Sequence, residues 1–418
     1  MSQLVSEPLY RFNRVMTENG IDRILADSKA LKALGKKRIA LLGHPASVTR
    51  QLDHSLYALQ EQGILNLSCA FGPQHGMLGE KQDNMIESDD YRDPKTGIPV
   101  FSLYSTTRRP TAKMMDAFDV LFVDLQDVGC RIYTYLTTLR YMLEAAAKFK
   151  KEVWILDRPN PIGRPVEGFM LDLKKWESFV GASILPMRHG LTMGELAKWL
   201  CAEFKLDVEL KIIEVSNYKI NAAPDFGWPQ STQPWVNPSP NMPTLDTARC
   251  YPGTVLLEGT LMSEGRGTTR PLQIFGAPNM KSEEVIKKMH AMAPQWLKGC
   301  ALRPCFFEPT FHKFQKSLCS GMQIHVDADL YSHLEFQPYR LMLLMFKAFH
   351  QIHPEFALWR QPPYEYETEK LPIDLLNGNS FGRTWVDDPS LNPQDLDRVL
   401  EKDEKEWLDL RRPHLLYS

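Results

Sequence analysis

Most of the short patterns that announce a chemistry are missing from this chain of 418 residues. Its seven cysteines (Cys69, Cys130, Cys201, Cys250, Cys300, Cys305 and Cys319) are odd in number and scattered, with no Cys-x-x-Cys pair. That usage points to reduced, buried thiols and excludes a disulfide framework. Eleven histidines include no His-Glu-x-x-His, so metal catalysis finds little support, and His350 with His353 reads as one helix face. There is no Gly-x-Ser-x-Gly elbow for serine catalysis. Neither glycine-rich phosphate cradle is present, which argues against nucleotide binding. A nicotinamide dehydrogenase is poorly supported for the same reason, because the first strand ends in GHPASVT with no glycine fingerprint.

Two further absences bound the partners. Charge of one sign is lacking: 49 Lys+Arg oppose 51 Asp+Glu, a formal net charge of −2. With no basic run interleaved with aromatics, nucleic acid is not an expected partner. No apolar run is long enough to cross a bilayer, and the opening MSQLVSEPLYRFNRV has no apolar core of signal-peptide length. The expectation is a soluble cytoplasmic protein with no membrane partner, no cofactor and no metal. Composition leaves the oligomeric state open.

What is present is a rhythm of short apolar strands, polar tips and helices. Strands are expected at 37–44 (KRIALLGH), 64–71, 120–128 (VLFVDLQDV), 152–156 (EVWIL) and 211–215. Their apolar residues are dense enough for strands covered on both faces. A helix is expected at 134–149 from the spacing of Leu136, Leu139, Met142, Leu143 and Ala146. Thr192 and Glu195 form a capping-box pattern that opens another. Strands alternating with helices predict an α/β fold with a parallel sheet. The stretch 221–243, rich in Pro, Asn and Trp, is expected to be a long ordered loop. Past about residue 278 the rhythm stops. Helices at 282–297 and 338–350, strands at 303–308 and 322–326, and a charged helix or arm at 395–412 suggest a smaller α+β unit. The division expected is 20–278 and 279–418.

Three polar tips follow successive strands: Gln74/His75, Asp124/Gln126/Asp127 and Asp157/Arg158/Asn160. Ligands in open α/β sheets bind beyond the carboxyl ends of strands, so the tips are expected to line one cleft. Singly, each is equally well a loop-capping residue. Arg131 and Tyr133 follow the second tip, and Arg188-His189-Gly190 precedes a helix start. The run EGTLMSEGRGTTRPLQIF (258–275) combines flexible backbone, hydroxyls and the guanidiniums of Arg266 and Arg270, which match carboxylate or phosphate oxygens. A glycine turn with solvated arginines is the plainer alternative. Carboxylates, arginines and aromatics such as Tyr133, Trp228, Trp235 and Tyr251 together suit a sugar or sugar acid.

Ordered strings then carry a resemblance. FGPQHG (71–76), PVFSLYS (99–105), DLQDVGCRIYTY (124–135), LDRPNPIG (156–163), RHGLTMGEL (188–196), PSPNMPT (238–244), LLEGTLMSEGRGTTRP (256–271) and PTFHK (309–313) resemble the exo-acting β-N-acetylmuramidases of bacterial cell-wall breakdown, the NamZ-like glycoside hydrolases. The resemblance implies a Rossmann-like parallel-sheet domain with a smaller C-terminal domain. It further implies release of terminal N-acetylmuramic acid from peptidoglycan fragments, with a sugar or muropeptide as the small-molecule substrate. Catalytic candidates are Gln74, His75, Asp124, Asp127 and Glu264. Substrate-binding candidates are Arg131, Tyr133, Arg158, Asn160, Arg188, His189, Asn241, Arg266, Thr268 and Arg270, with Arg266 or Arg270 suited to the lactyl carboxylate.

One departure matters. The family string reads GPEHG, its glutamate is thought to be catalytic, and this chain has Gln74 there. An amide neither gives nor takes a proton at neutral pH. Three alternatives stand: another carboxylate (Glu80, Asp124, Asp127 or Glu264) supplies the acid, the substrate's acetamido group assists, or the protein binds muropeptides or amino sugars without cutting them.

Overall fold

The computed structural model describes residues 16–82, 85–224, 226–230 and 233–418. The opening stretch read above for a leader, and parts of the 221–243 loop, lie outside them. Seven strands form the main sheet: β1 (Arg38–Leu42), β2 (Asn66–Gly72), β3 (Tyr91–Arg92), β4 (Pro99–Ser102), β5 (Val120–Val123), β6 (Glu152–Leu156) and β7 (Leu210–Ile213). Their order is β3-β4-β2-β1-β5-β6-β7. Every pairing is parallel except that of β3 with β4. The strand order therefore reverses between β1 and β5, the usual switch point of a doubly wound sheet.

Alternation along the strands divides the core in two. Ala40, Leu42, Cys69, Phe71, Leu121, Val123, Val153 and Ile155 face one side, where they join Leu136, Leu139 and Leu143 of helix Tyr135–Phe149. Ile39, Leu41, Ala70, Val120, Phe122, Trp154 and Leu156 face the other, against Ile21, Ile24 and Leu31 of the first two helices. Both faces are covered, which explains why these strands read as continuous apolar runs. Each fully buried aliphatic side chain stabilises by roughly 1.5–3 kcal/mol. The Thr192–Glu195 capping box opens helix Met193–Glu203 as expected. Strands β3 and β4 are additions, since only two and four residues pair there.

A second sheet holds β8 (Ile274–Ala277), β9 (Ala301–Phe307) and β10 (Cys319–His325) in the order β8-β10-β9, all antiparallel. Gly276 lies opposite Gly321, where a Cβ on Gly276 would stand 2.2 Å from the Ser320 carbonyl oxygen. Helix Ser282–Met292 packs against it, and helix Pro338–Ile352 packs in turn on that helix and on Leu245–Thr254. Strand β8 precedes residue 278 yet pairs only in this second sheet. The charged tail forms helix Pro393–Arg411, which returns to the first unit: Trp407 Nε1 donates to the His189 carbonyl at 2.8 Å. No helix among the described residues is long and apolar enough to cross a membrane.

Candidate active site

Strand β2 ends at Gly72, and the chain turns back sharply through Pro73, Gln74, His75 and Gly76. His75 and Gly76 both have left-handed backbone (φ 67° and 73°). A Cβ on Gly72 would meet the Met77 amide nitrogen at 2.6 Å, so the turn closes this tightly only with glycine. The fold thereby holds Gln74 and His75 at the carboxyl edge of the sheet, where they line a polar cleft. The start of helix Tyr135–Phe149 supplies Tyr133, Thr134 and Tyr135, and the loop before the second unit supplies Ser239 and Asn241. Further along the chain, Tyr251, Glu258, Arg266, Tyr364 and Glu365 complete it.

The polar contacts form two linked sets. In the first, Thr134 Oγ1 donates to Gln74 Oε1 at 2.6 Å. That contact turns the Gln74 amide nitrogen toward Glu365, where Nε2 donates to Oε1 at 3.3 Å. Tyr104 donates its hydroxyl to the other Glu365 oxygen at 3.0 Å. Burial pushes the Glu365 carboxyl up and nearby Glu258 adds to this, against the hydrogen bonds from Tyr104 and Gln74, to about 7. In the second set, Arg266 donates from Nη2 to Glu258 at 2.7 Å and from Nε to Glu264 at 3.2 Å. Tyr364 donates to the remaining Glu258 oxygen at 2.6 Å. Burial disfavours the Arg266 charge, but the two glutamates outweigh it and raise its pKa further.

His75 sits between the sets. Its Nδ1 lies 3.2 Å from the Lys81 carbonyl oxygen, which can only accept, so Nδ1 carries the proton and Nε2 the lone pair. Burial, helped by the Arg266 charge, lowers its pKa to about 4, so the ring is neutral at physiological pH. Aromatic rings form one wall, with Tyr133 edge-on to Tyr135 (4.7 Å between centroids) and to Tyr251 (5.9 Å).

Of the residues singled out from sequence, Gln74, His75, Tyr133, Asn241, Tyr251 and Arg266 line the cleft. The expected convergence of three tips is corrected: the second and third close on each other. Asp124 takes a two-nitrogen fork from Arg158 at 2.5 and 2.9 Å, with a further bond from Ser55. Both members of that pair are buried, and such charges in low dielectric satisfy one another first. Asp127 accepts from the Gly129 amide and lies 3.4 Å from His189 Nε2. Asn160 caps its own turn at Ile162 and donates to the Leu191 carbonyl.

The remaining arginines are also structural. Arg131 donates to the carbonyls of Phe169, Leu185 and Leu376, and Arg188 to that of Ile162. Thr268 closes the Gly265 turn, and exposed Arg270 turns away from the cleft to Gln273. Glu264 stands behind Arg266, within reach of Lys313 (3.0 Å) and His312 (3.2 Å). Burial would raise its pKa, but Lys313, His312 and Arg266 hold the carboxyl well below the usual range, so it is not a proton donor. Trp228 packs edge-on to Trp235 instead of facing the cleft.

The residues that sequence reasoning missed are Glu365, Tyr104, Thr134 and Tyr364, along with the cleft position of Glu258. Gln74 and Glu365 are 291 positions apart, and no spacing rule reaches so far. The one available signal was the string PPYEYE (362–367), a carboxylate between two tyrosines after paired prolines.

Comparison with known proteins agrees with this architecture. Residues 39–246 match the family described as exo-beta-N-acetylmuramidase NamZ, N-terminal, and residues 249–417 match its C-terminal counterpart. The Bacillus subtilis (strain 168) protein named peptidoglycan beta-N-acetylmuramidase NamZ is 38% identical over 402 residues, covering 96% of this chain and 91% of that protein. Two crystal structures of DUF1343 family proteins from Bacteroides fragilis NCTC 9343 share the fold. The first has a TM-score of 0.82 at 29% identity over 97% of this chain and 100% of that one. The second has a TM-score of 0.72 at 27% identity over 96% and 99%.

Proposed function

Because this chain belongs to the exo-β-N-acetylmuramidase NamZ family of glycoside hydrolases, we propose that it removes terminal N-acetylmuramic acid from peptidoglycan fragments in the cleft between its two units. The observation that carries this reading is the juxtaposition of Gln74 and His75 with Arg266, Glu258 and Glu365 in one polar, aromatic-walled space. A muramyl sugar offers what those groups would bind: hydroxyls and an acetamido group for Asn241, Ser239 and the tyrosines, and a lactyl carboxylate for Arg266.

Arg266 is fixed by two carboxylates, so its charge is largely compensated within the protein. Its value to a ligand carboxylate is a preorganised donor more than a net charge. We place the division between the units at 247–248, where the two family regions meet, and not at 278. Strand β8 then falls wholly within the second unit.

Gln74 favours a second reading, in which the muropeptide is bound without being cut, because the amide offers no proton. One set of measurements separates the two. Incubation with a disaccharide of N-acetylmuramic acid β-1,4-linked to N-acetylglucosamine should release both monosaccharides, read by mass spectrometry. Binding without release would favour the carrier reading, and neither binding nor release would remove both. Calorimetry should show N-acetylmuramic acid binding about one to two decades more tightly than N-acetylglucosamine. That is the effect of one charge-assisted hydrogen bond of roughly 1.5–3 kcal/mol. Equal affinities would take Arg266 out of the recognition scheme.

A further inference from the structure

We propose that Glu365 is the proton donor of this hydrolysis, supplying from the second unit the acid that Gln74 does not provide in the first. The assignment rests on the muramidase reading above and extends it to a residue that none of the matched sequence strings contains.

Geometry carries the argument. Two carboxyls line the cleft among the described residues, Glu258 and Glu365. Glu258 is committed to the Arg266 guanidinium at 2.7 Å and to the Tyr364 hydroxyl at 2.6 Å. Among the described residues, no cation stands at ion-pair distance from Glu365. Its two partners are a neutral amide and a phenol, Gln74 and Tyr104. Both can hold the carboxyl in place without fixing it in its ionised form. The charged groups acting on it are Glu258, which favours the proton, and Arg108, which opposes it. The uncharged His75 and the compensated Arg266 line the same cleft.

The backbone beneath Glu365 is a second, independent observation. Tyr364 and Glu367 exchange both backbone hydrogen bonds at 2.9 Å, which makes Glu365-Tyr366 the two-residue tip of a hairpin. Both tip residues have positive φ, 43° and 69°. Such tips favour Asn-Gly, and a glutamate–tyrosine pair there is strained backbone of the kind that gathers at functional sites. Arg108 stacks over the Tyr366 ring at 3.4 Å and bonds Glu87 at 3.0 Å, locking the tip from outside. The turn therefore presents one carboxyl into the cleft from a backbone conformation that favours glycine or asparagine.

The step balances simply. The Glu365 proton passes to the glycosidic oxygen as the bond from that oxygen to C1 breaks, and the oxygen keeps the bonding pair as an alcohol. Water then adds its hydroxyl to C1, and its remaining proton restores the carboxyl. A carboxyl pushed up to about 7 by burial and Glu258, against the Tyr104 and Gln74 hydrogen bonds, is protonated often enough at neutral pH to do this.

The test uses the full chain with two substrates. One is the disaccharide named above, whose sugar alcohol leaves only with a proton; the other is 4-nitrophenyl N-acetyl-β-muramide, whose phenolate leaves without one. Glu365→Gln should lower kcat on the disaccharide by ~10²–10⁴-fold, and on the nitrophenyl muramide by less than about tenfold if only acid assistance is lost. Affinity for N-acetylmuramic acid and the melting temperature should be retained. Equal losses on both substrates, or no loss on the disaccharide, would overturn the assignment while leaving the muramidase reading intact. Should the variant not fold, the unmodified protein decides the matter: disaccharide turnover should fall above about pH 7 and nitrophenyl turnover should not. A shared limb, or none, overturns it. If the unmodified protein cleaves neither substrate, the function itself fails and the assignment with it.

Discussion

At the scale of single residues, the Gln74–Glu365 contact sets the proton affinity of the cleft. The Gln74 amide donates to Glu365, a bond that opposes protonation of the carboxyl. Gln74→Glu would remove that donation and set a second carboxyl against the first. Two acids at hydrogen-bond distance cannot both ionise readily, so the pair would share a proton and titrate as a unit. The expected outcome is an alkaline limb of kcat/KM on the disaccharide moved upward by about one pH unit or more. The change is nearly isosteric, and Thr134 can still donate to the acid, so the melting temperature near pH 6 should hardly move. A pH profile identical to that of the unmodified protein would mean that the titrating group is elsewhere.

Elements place these residues more than their own preferences do. The β2 turn is an instance in which one missing side chain decides the position of two others. Gly72 leaves room for the chain to double back against the Met77 amide, and Gln74 and His75 sit on the loop so formed. Gly72→Ala should push that loop outward, away from Thr134 and Glu365. Displacing a reacting group by about 1 Å can cost ~10²-fold in rate, so kcat/KM should fall by about that factor while the sheet stays formed. Circular dichroism with kinetics on the disaccharide checks both halves, and unimpaired turnover would mean the turn is not what positions the pair. The hairpin at Tyr364–Glu367 works in the same way from the opposite wall.

The whole molecule is held together by contacts that run against chain order. Helix Pro393–Arg411 closes the chain by returning to the first unit, where Trp407 is fully buried and edge-on to Trp199 at 4.8 Å. Arg340 bonds Asp397 and Glu404 of that helix, and Arg411 donates to the Arg164 and His189 carbonyls. Because the cleft draws on both units and this helix bonds both, the helix is expected to hold the two walls in register. Trp407→Ala should destabilise the protein by about 3–5 kcal/mol, measured by denaturant unfolding. It should also weaken binding of N-acetylmuramic acid, although Trp407 does not line the cleft. A stability loss with unchanged affinity would show that the helix steadies the fold without setting the site.

Much of this protein is determined locally and was legible in its residues. The runs KRIALLGH and EVWIL, and the VLFV that opens VLFVDLQDV, are apolar enough for doubly covered strands, although the last strand stops at Val123 and its DLQDV end is loop; the Thr192–Glu195 box opens a helix by local hydrogen bonding alone. The motif strings carried the family and the Gln74/His75 tip. What the tertiary structure decided is which polar groups meet. Asp124, Arg158, Arg131 and Arg188 have the chemistry of a site, yet packing left them buried beside carbonyls and opposite charges, which they satisfy. Glu365 belongs to a stretch with no periodicity and no recognised string, and only the docking of the second unit sets it beside Gln74. The physical reason is range: strand and helix preferences act over a few residues, whereas the proton affinity of a carboxyl depends on what stands within a few ångströms, whatever its position in the chain.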